Sequence, residues 1–527
     1  MSVTLSLKRS TRPRSSLIYA SALALLSAAI VVSMINRRLR PWAVSDVPVA
    51  FWAWRTQSPS ETDVRDVIEK AHARTIFLRA GQIDLQNGKL QRIRPVRGLW
   101  PQGIDLHLVY NSTRSLLAHF ESVDETALAN TIAQAFREDS QRASQAKTHV
   151  TGLQVDIDVP TRLLARYRRI LSALRNYLPN GTQISITGLP TWMDSSRLED
   201  VLEVVDFWVP QLYGAEIPER SDHLIPISSA QAIKRDVIRA RKLDKPFYAG
   251  LAAYNCTMLY SPSGSRISLR GDMDLTVIAS DPNLELIDRR SFDSPAVMSG
   301  QSVSIASNWR YAYRARADGV TDSLAMHAGD ILVIETPTAE SLRTAARIVR
   351  ELAGEKLLGI CVFRLPSRDD PATLTIDQVA TALADQASAP VINVRITLES
   401  GGSNSAQSSE YKYNVELKNL GTAGALVGSF RADIGVIPGS IEAVTAQRDV
   451  SVETLCESAE VLKPCSQRRA DVIRLKAMTM APSRGLRALL VLKGPATTIP
   501  LSVTMQTDAG QSFSLQREVT VDSRTNP

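Results

Sequence analysis

The sequence predicts an α/β protein: a (β/α)8 TIM-like barrel, preceded by a transmembrane helix and followed by an immunoglobulin-like β-sandwich. Three observations carry this. Between residues 47 and 365 short apolar runs alternate with segments of helical periodicity, the pattern of repeated βα units. From about residue 389 the helical period ends, and short β runs separated by turn residues take over. Near the N-terminus a run of 19 residues, 17–35, carries no charge.

That run would span about 28 Å as a helix, close to the thickness of a bilayer core. Lys8, Arg9, Arg12 and Arg14 precede it, and Arg37, Arg38 and Arg40 follow. A cleaved signal peptide, the alternative, has a shorter apolar core and a small-residue cleavage site. Residues 1–40 therefore read as a cytoplasmic tail and an uncleaved signal anchor. The heavier basic flank keeps the N-terminus in the cytoplasm. The chain is expected in the cell membrane as a single-pass protein, held in the inner membrane through residues 17–35, with its bulk in the periplasm or outside. Those seven cations are also the whole charge excess: of 61 Lys and Arg, the other 54 match 54 Asp and Glu. The basicity is a topogenic signal and gives no support to nucleic-acid binding.

Eight candidate strands follow, at 47–54, 75–79, 104–110, 152–158, 183–188, 206–213, 246–251 and 357–364. The helix after strand four has Leu163, Leu164, Tyr167, Ile170, Leu171, Leu174 and Leu178 on one stripe, with arginines opposite. A helix over 339–352 precedes the last strand. Residues 45–388 are thus expected to form the barrel, with an insertion at 255–328 leaving its C-terminal rim. Within the insertion Trp309, Tyr311 and Tyr313 alternate as in a strand and read as core packing. Residues 330–336 are strand-like too and compete for the seventh position. Residues 389–527 form the sandwich, with 401–409 a flexible polar loop.

Cys456 and Cys465 lie nine apart in a turn-rich stretch and can pair in an exported protein. Cys256 and Cys361 are expected to be buried. No Cys-x-x-Cys or His/Cys cluster occurs among six His, so neither a zinc site nor any other cofactor is expected. The chain has no Gly-rich phosphate loop, no Gly-x-Ser-x-Gly and no His-Glu-x-x-His. This disfavours a nucleotide-dependent enzyme, a serine esterase and a zinc protease. Arg37-Arg38 follows the apolar run, the wrong side for a twin-arginine signal.

Strand four, Thr151-Gly152-Leu153-Gln154-Val155-Asp156-Ile157-Asp158-Val159-Pro160, is the most informative stretch. Alternate strand residues share a face, which places Asp156 and Asp158 side by side with Cα atoms roughly 6–7 Å apart. Two acids ending an apolar strand are expensive to bury without a purpose. In such barrels the C-terminal strand ends carry the chemistry. Strand three alternates Asp105, His107, Val109 and Asn111 with Ile104, Leu106, Leu108 and Tyr110. The apolar face should pack on helices, which turns His107 and Asn111 inward. A lone barrel His is more often a hydrogen-bonded core residue than a ligand. Arg55, Arg79, Gln82, Thr187, Gln211 and Arg364 also fall near strand ends. Trp192, just after strand five, reads either as a sugar-stacking platform or as loop packing.

Strand four resembles the signature of chitinase-like glycoside hydrolases of family 18, Asp-Gly-x-Asp-x-Asp-x-Glu followed by x-Pro. Matching Gly152 and Pro160 places Gln154 at the first strand Asp, Asp156 at the second and Asp158 at the catalytic Glu. Strand six, Val205-Asp206-Phe207-Trp208-Val209-Pro210-Gln211-Leu212-Tyr213-Gly214, is similar to that family's Asp-Phe/Tyr … Met/Gln-x-Tyr-Asp/Asn strand. Tyr213 then matches the substrate-contacting tyrosine, and Gly214 replaces an acid or amide. Phe363 stands where the family has a Trp under the sugar. Phe363-Arg364-Leu365-Pro366 and Asp-x-Asp-x-Pro also resemble an uncharacterised bacterial family, domain of unknown function 3142, over about 45–385.

The first resemblance implies Asp158 as general acid, Asp156 as orienting carboxylate and Tyr213 as support for a nucleophilic N-acetyl group of the sugar itself. Asp156 would raise the pKa of Asp158. Gln154, Gln211, Trp192, His107, Asn111, Phe363 and Arg364 complete the candidate substrate-binding set. The expected partner is an envelope or extracellular polysaccharide or glycan. The alternative is a non-catalytic glycan- or protein-binding envelope protein on a degenerate hydrolase barrel, with Asp158 capping a helix near Thr161. The oligomeric state stays open.

Overall fold

The computed structural model describes residues 42–292, 294–298, 301–305, 308–401, 410–458 and 461–523. The candidate anchor at 17–35 and most of the polar loop at 401–409 lie outside the described residues. Among the described residues no helix is long and apolar enough to cross a membrane.

Eight parallel strands form the barrel: β1 Val49–Ala53, β2 Ala73–Gln86, β3 Asp105–Ser112, β4 Val150–Asp156, β5 Gln183–Gly188, β6 Phe207–Pro210, β7 Phe247–Ala252 and β8 Leu357–Phe363. Each pairs with its neighbour in sequence order. The ring closes because β1 pairs with both β2 and β8. The seventh strand is therefore β7, and Ile331–Thr336 belongs elsewhere.

Local chemistry explains the elements. Ser60 caps helix Glu61–Ala71 by accepting the Asp63 N–H, and the helix buries Val64, Val67 and Ala71 on the barrel. It stops at His72, whose left-handed φ of 53° turns its N–H back to the Val67 carbonyl. Helix Leu164–Tyr177 buries Leu164, Tyr167, Ile170, Leu171 and Leu174, the stripe read from sequence. Thr338 and Ser341 form a reciprocal capping box on helix Ala339–Leu352. A close approach fixes β4 on β5: a Cβ at Gly152 would lie 2.1 Å from the Gln183 carbonyl oxygen.

Three boundaries differ from expectation. β2 continues past residue 79 because Asn87 (φ 49°) and Gly88 (φ 74°) fold its end into a hairpin with Lys89–Ile93. β6 ends at Pro210; only single bonds, from Gln211 N–H to Gly188 and from Leu212 N–H to Gly250, extend it. β4 ends at Asp156, and Asp158 lies beyond it in a tight turn closed by the Val159 N–H on the Ile157 carbonyl, 2.8 Å.

The core has two shells. Outward strand residues such as Leu106, Leu108 and Tyr110 pack against the helices. Inside the ring, Ala50, Trp52, Phe77, Val109, Phe207, Val209 and Cys361 fill the barrel, with Trp54 and Phe363 above them. After β7 comes a five-stranded antiparallel sheet, in the order Arg266–Arg270, Cys256–Tyr260, Ile331–Thr336, Trp309–Ala315, Leu284–Ser291. Ile331–Thr336 is its central strand, paired on both sides. Tyr311 and Tyr313 are buried in this unit.

The C-terminal part is β-rich. Among the described residues its ten strands make one sheet, which folds so that both halves share an apolar core around Tyr413, Val415, Ile434, Ile473, Leu475 and Leu490. Cys456 and Cys465 are joined by a disulfide, whereas Cys256 and Cys361 are buried free thiols. The inserted sheet docks on this part. Trp309 Nε1 donates to the Asp508 carbonyl at 2.7 Å, Arg289 donates to the Val427 carbonyl at 2.8 Å, and Arg484 pairs with Asp274 at 3.0 Å.

Candidate active site at the barrel mouth

The C-terminal ends of the strands bring one ring of inward side chains together: Trp54 after β1, Arg79 on β2, Asn111 on β3, Asp156 on β4, Thr187 on β5, Gln211 after β6 and Phe363 on β8. This follows from period-2 alternation above the inward residues Trp52, Phe77, Val109 and Gln154.

Asp156 is buried and accepts a hydrogen bond from Thr187 Oγ1 at 2.5 Å. Burial first, and then the charge of Asp158, push its pKa up to about 7, against the pull of the Thr187 hydrogen bond and of Arg79. Asp158 reaches solvent on its turn, yet the concave mouth surrounds it and raises its pKa as well. The two carboxyls titrate as a pair and hold a proton near neutral pH. The turn carrying Asp158 is braced from behind: Trp192 Nε1 donates to the Val159 carbonyl at 2.9 Å, and the Tyr167 hydroxyl donates to the Val155 carbonyl at 3.0 Å.

Tyr213 is 8% exposed and stacks on Phe363 with ring centres 6.0 Å apart. Tyr254 packs edge-on against both rings, at 6.2 and 5.0 Å. Burial, then Tyr254 and the two carboxylates, raise the Tyr213 hydroxyl well above its ordinary range, so it stays a neutral donor. Gly214 follows with φ +67°, a left-handed conformation that favours glycine over the acid or amide expected by resemblance.

The other expected residues are placed differently. Gln154 is fully buried inside the barrel, accepting from Trp52 Nε1 at 2.8 Å and lying 3.4 Å from Ser185 Oγ. His107 is also interior, bonded to Thr151 Oγ1 and Ser185 Oγ between the rings of Phe77 and Phe207. Burial depresses its pKa to about 3, so it stays neutral. Trp192 is fully buried against Tyr167 and offers no ring face to a ligand, the loop-packing reading. Arg364 makes a bidentate pair with the buried Asp370, at 2.7 and 2.8 Å, and donates to the Gly271 carbonyl. Asn111 accepts from Arg79 Nε at 3.1 Å at the mouth. Gln211 is partly buried just past β6.

Trp54 and Tyr254 are aromatic mouth residues outside the expected set. Trp54 was legible as the next inward position after Ala50 and Trp52. Tyr254 lies two residues beyond β7, where no alternation reaches. Trp54 also lines a groove of about 990 Å³ beside the mouth, with Arg55, Leu99, Trp100, Arg364 and Asp370. Among the described residues no three His, Cys, Asp or Glu side chains gather to hold a metal ion.

The family model "Domain of unknown function (DUF3142)" matches residues 116–291, a narrower span than the 45–385 expected. It takes in Asp156, Asp158, Tyr213 and Tyr254 and leaves out Arg79 and Phe363. No curated protein matches the chain. Among solved structures the chain is similar to a chitinase from Chromobacterium violaceum (13% identity, 64% of this chain and 98% of that one, TM-score 0.41). It is similar also to the Bacillus cereus spore cortex-lytic enzyme SleL (14%, 64% and 74%, 0.41). A third is a family 18 N-acetylglucosaminidase from Paenibacillus barengoltzii (12%, 64% and 99%, 0.39).

Proposed function

We propose that the protein is a glycoside hydrolase acting on an envelope or extracellular polysaccharide, with the barrel mouth as its active site. One observation carries the reading: a buried carboxyl, Asp156, held by Thr187, and an accessible one, Asp158, share an aromatic-lined mouth with Tyr213 stacked on Phe363. Asp158, on the accessible turn, donates the proton to the leaving oxygen. Asp156, beneath it, orients and stabilises the developing positive centre or a participating N-acetyl group. Tyr213 donates a hydrogen bond to the same group, and Phe363 with Trp54 supplies apolar faces for sugar rings. The basic-flanked run at 17–35 supports an anchor that holds residues 41–527 outside the cytoplasm. The Cys456–Cys465 disulfide suits such an oxidising compartment.

A second reading is glycan binding without turnover. It is favoured by the length of Asp158, one methylene shorter than Glu, since misplacing an acid by about 1 Å costs roughly a hundredfold in rate. Release of reducing ends from a glycan panel separates the two. Asp158→Asn abolishes turnover and leaves binding in the first reading; a wild-type chain that binds but never releases product selects the second.

A further inference from the structure

We propose that the mouth recognises a sugar bearing a carboxylate, and that Arg79 is the group that binds it. This rests on the glycan reading above. Arg79 stands on the inward face of β2 and is 7% exposed. Its guanidinium lies over the Trp54 ring, 5.6 Å from the centroid. Nε donates to Asn111 Oδ1 at 3.1 Å and Nη1 to Thr56 Oγ1 at 3.2 Å. All three partners are neutral.

Among the described residues no carboxylate comes within ion-pair distance of Arg79, and Nη2 has no protein acceptor. Of the other buried arginines, Arg364 pairs with Asp370 and Arg350 with Asp385, whereas Arg310, on the inserted sheet, donates instead to the Ser221 and His223 carbonyls. Asp156 attracts Arg79 only from beyond contact, and it shares its proton with Asp158. Arg94, at the end of the β2 hairpin, adds a second positive charge to the same space instead of relieving the first. Holding a buried cation without a counter-charge is costly. A planar guanidinium fixed on one face and two edges, with an N–H pair left over, matches a carboxylate. Phosphate would fit the charge, but the single remaining N–H₂ edge in an aromatic setting favours the planar, singly charged group.

The carboxylate has two common sources, a uronic acid or the lactyl ether of a muramyl sugar. Equilibrium binding to the full chain is measured for hyaluronan tetrasaccharide, for a GlcNAc–MurNAc tetrasaccharide and for neutral chitotetraose. The expected result is a preference of roughly tenfold to a hundredfold for one acidic probe over chitotetraose, the scale of a charged hydrogen bond. The preferred probe names the source. Arg79→Gln should bring that ratio to about one, and Arg79→Lys should keep part of it. Equal affinity for all three probes, or a preference that survives Arg79→Gln, overturns the assignment and leaves the glycan reading standing. Binding of none of them removes the glycan reading itself. Should Arg79→Gln not fold by circular dichroism, salt decides: a preference that does not decline between about 50 and 500 mM sodium chloride is not ionic and overturns the assignment.

Discussion

At the scale of single residues, the carboxyl pair is governed by its neighbours. Thr187 Oγ1 is the hydroxyl donor that holds Asp156 down from a still higher pKa. Thr187→Val keeps the shape and removes the donor. The mutant is expected to lose about 1–2 kcal/mol of stability, and the ionisation near pH 7 should move to higher pH, measured as a shifted limb of the pH–activity or pH–binding profile. An unmoved limb would disconnect Asp156 from the titration. Trp192 acts one step further back, through the Val159 carbonyl behind Asp158. Trp192→Phe retains most of the packing and drops that hydrogen bond. A fall in kcat with KM nearly unchanged is expected, because the acid is misplaced and the aromatic mouth is intact. A KM change alone would argue against this bracing role.

At the scale of elements, the β4–β5 pair limits what can change near the site. The Gly152 Cα faces the Gln183 carbonyl so closely that a methyl group has no space. Gly152→Ala is expected to cost about 1–3 kcal/mol, the range for overpacked sites, and to lower the melting temperature by several degrees. A melting curve equal to wild type would show that β5 yields. The turn after β4 matters as much as the strand. Strand periodicity alone puts Asp156 and Asp158 on one face. The Ile157–Val159 turn instead lifts Asp158 to the solvent rim and leaves Asp156 below, so that one carboxyl is accessible and the other buried.

At the scale of the whole molecule, several buried acids titrate near neutrality. Asp156, Glu335 and Asp508 hold their protons up to about 7 when folded, chiefly through burial. Unfolded, they lose them in the ordinary carboxylate range near 4. Between those limits the folded chain binds more protons, so stability falls as pH rises through that window. His107 works in the opposite sense: neutral down to about 3 when folded and protonated below 6.5 when unfolded, it removes stability as pH falls from 6.5 toward 3. Three acids against one histidine leave the melting temperature higher near pH 5.5 than near pH 8. Glu335→Gln, which keeps an acceptor for Ile227 N–H, should flatten that slope. A slope of opposite sign would mean these acids are ionised in the folded chain at neutral pH. The inserted sheet and the C-terminal part also depend on each other, since Val427 packs in the core of the insertion. Removing residues 389–527 is expected to open protease cleavage within 256–336 while the barrel strands stay protected. Equal resistance of both segments would show that the insertion stands alone.

The sequence by itself determined the eight barrel strands, the helix stripes between them and the carboxylates at the end of strand four. These depend on local periodicity, burial pattern and capping, which are written in neighbouring residues. Inward alternation likewise placed His107 and Asn111 inside the ring. What the tertiary structure decided is where alternation stops. Pro210 ends β6 early, the turn after Asp156 breaks the parity of Asp158, and Ile331–Thr336 pairs with Trp309–Ala315 and with Cys256–Tyr260, the latter more than 70 residues back, rather than joining the barrel. The same holds for partners. Nothing in the order of residues tells that Trp192 faces a helix, that Arg364 is taken by Asp370, or that Tyr254 closes on Tyr213 and Phe363. The Tyr254 contacts join strand ends far apart in the chain, and only closure of the barrel brings them within reach; Asp370 meets Arg364 from six residues on, through the path of the loop after β8.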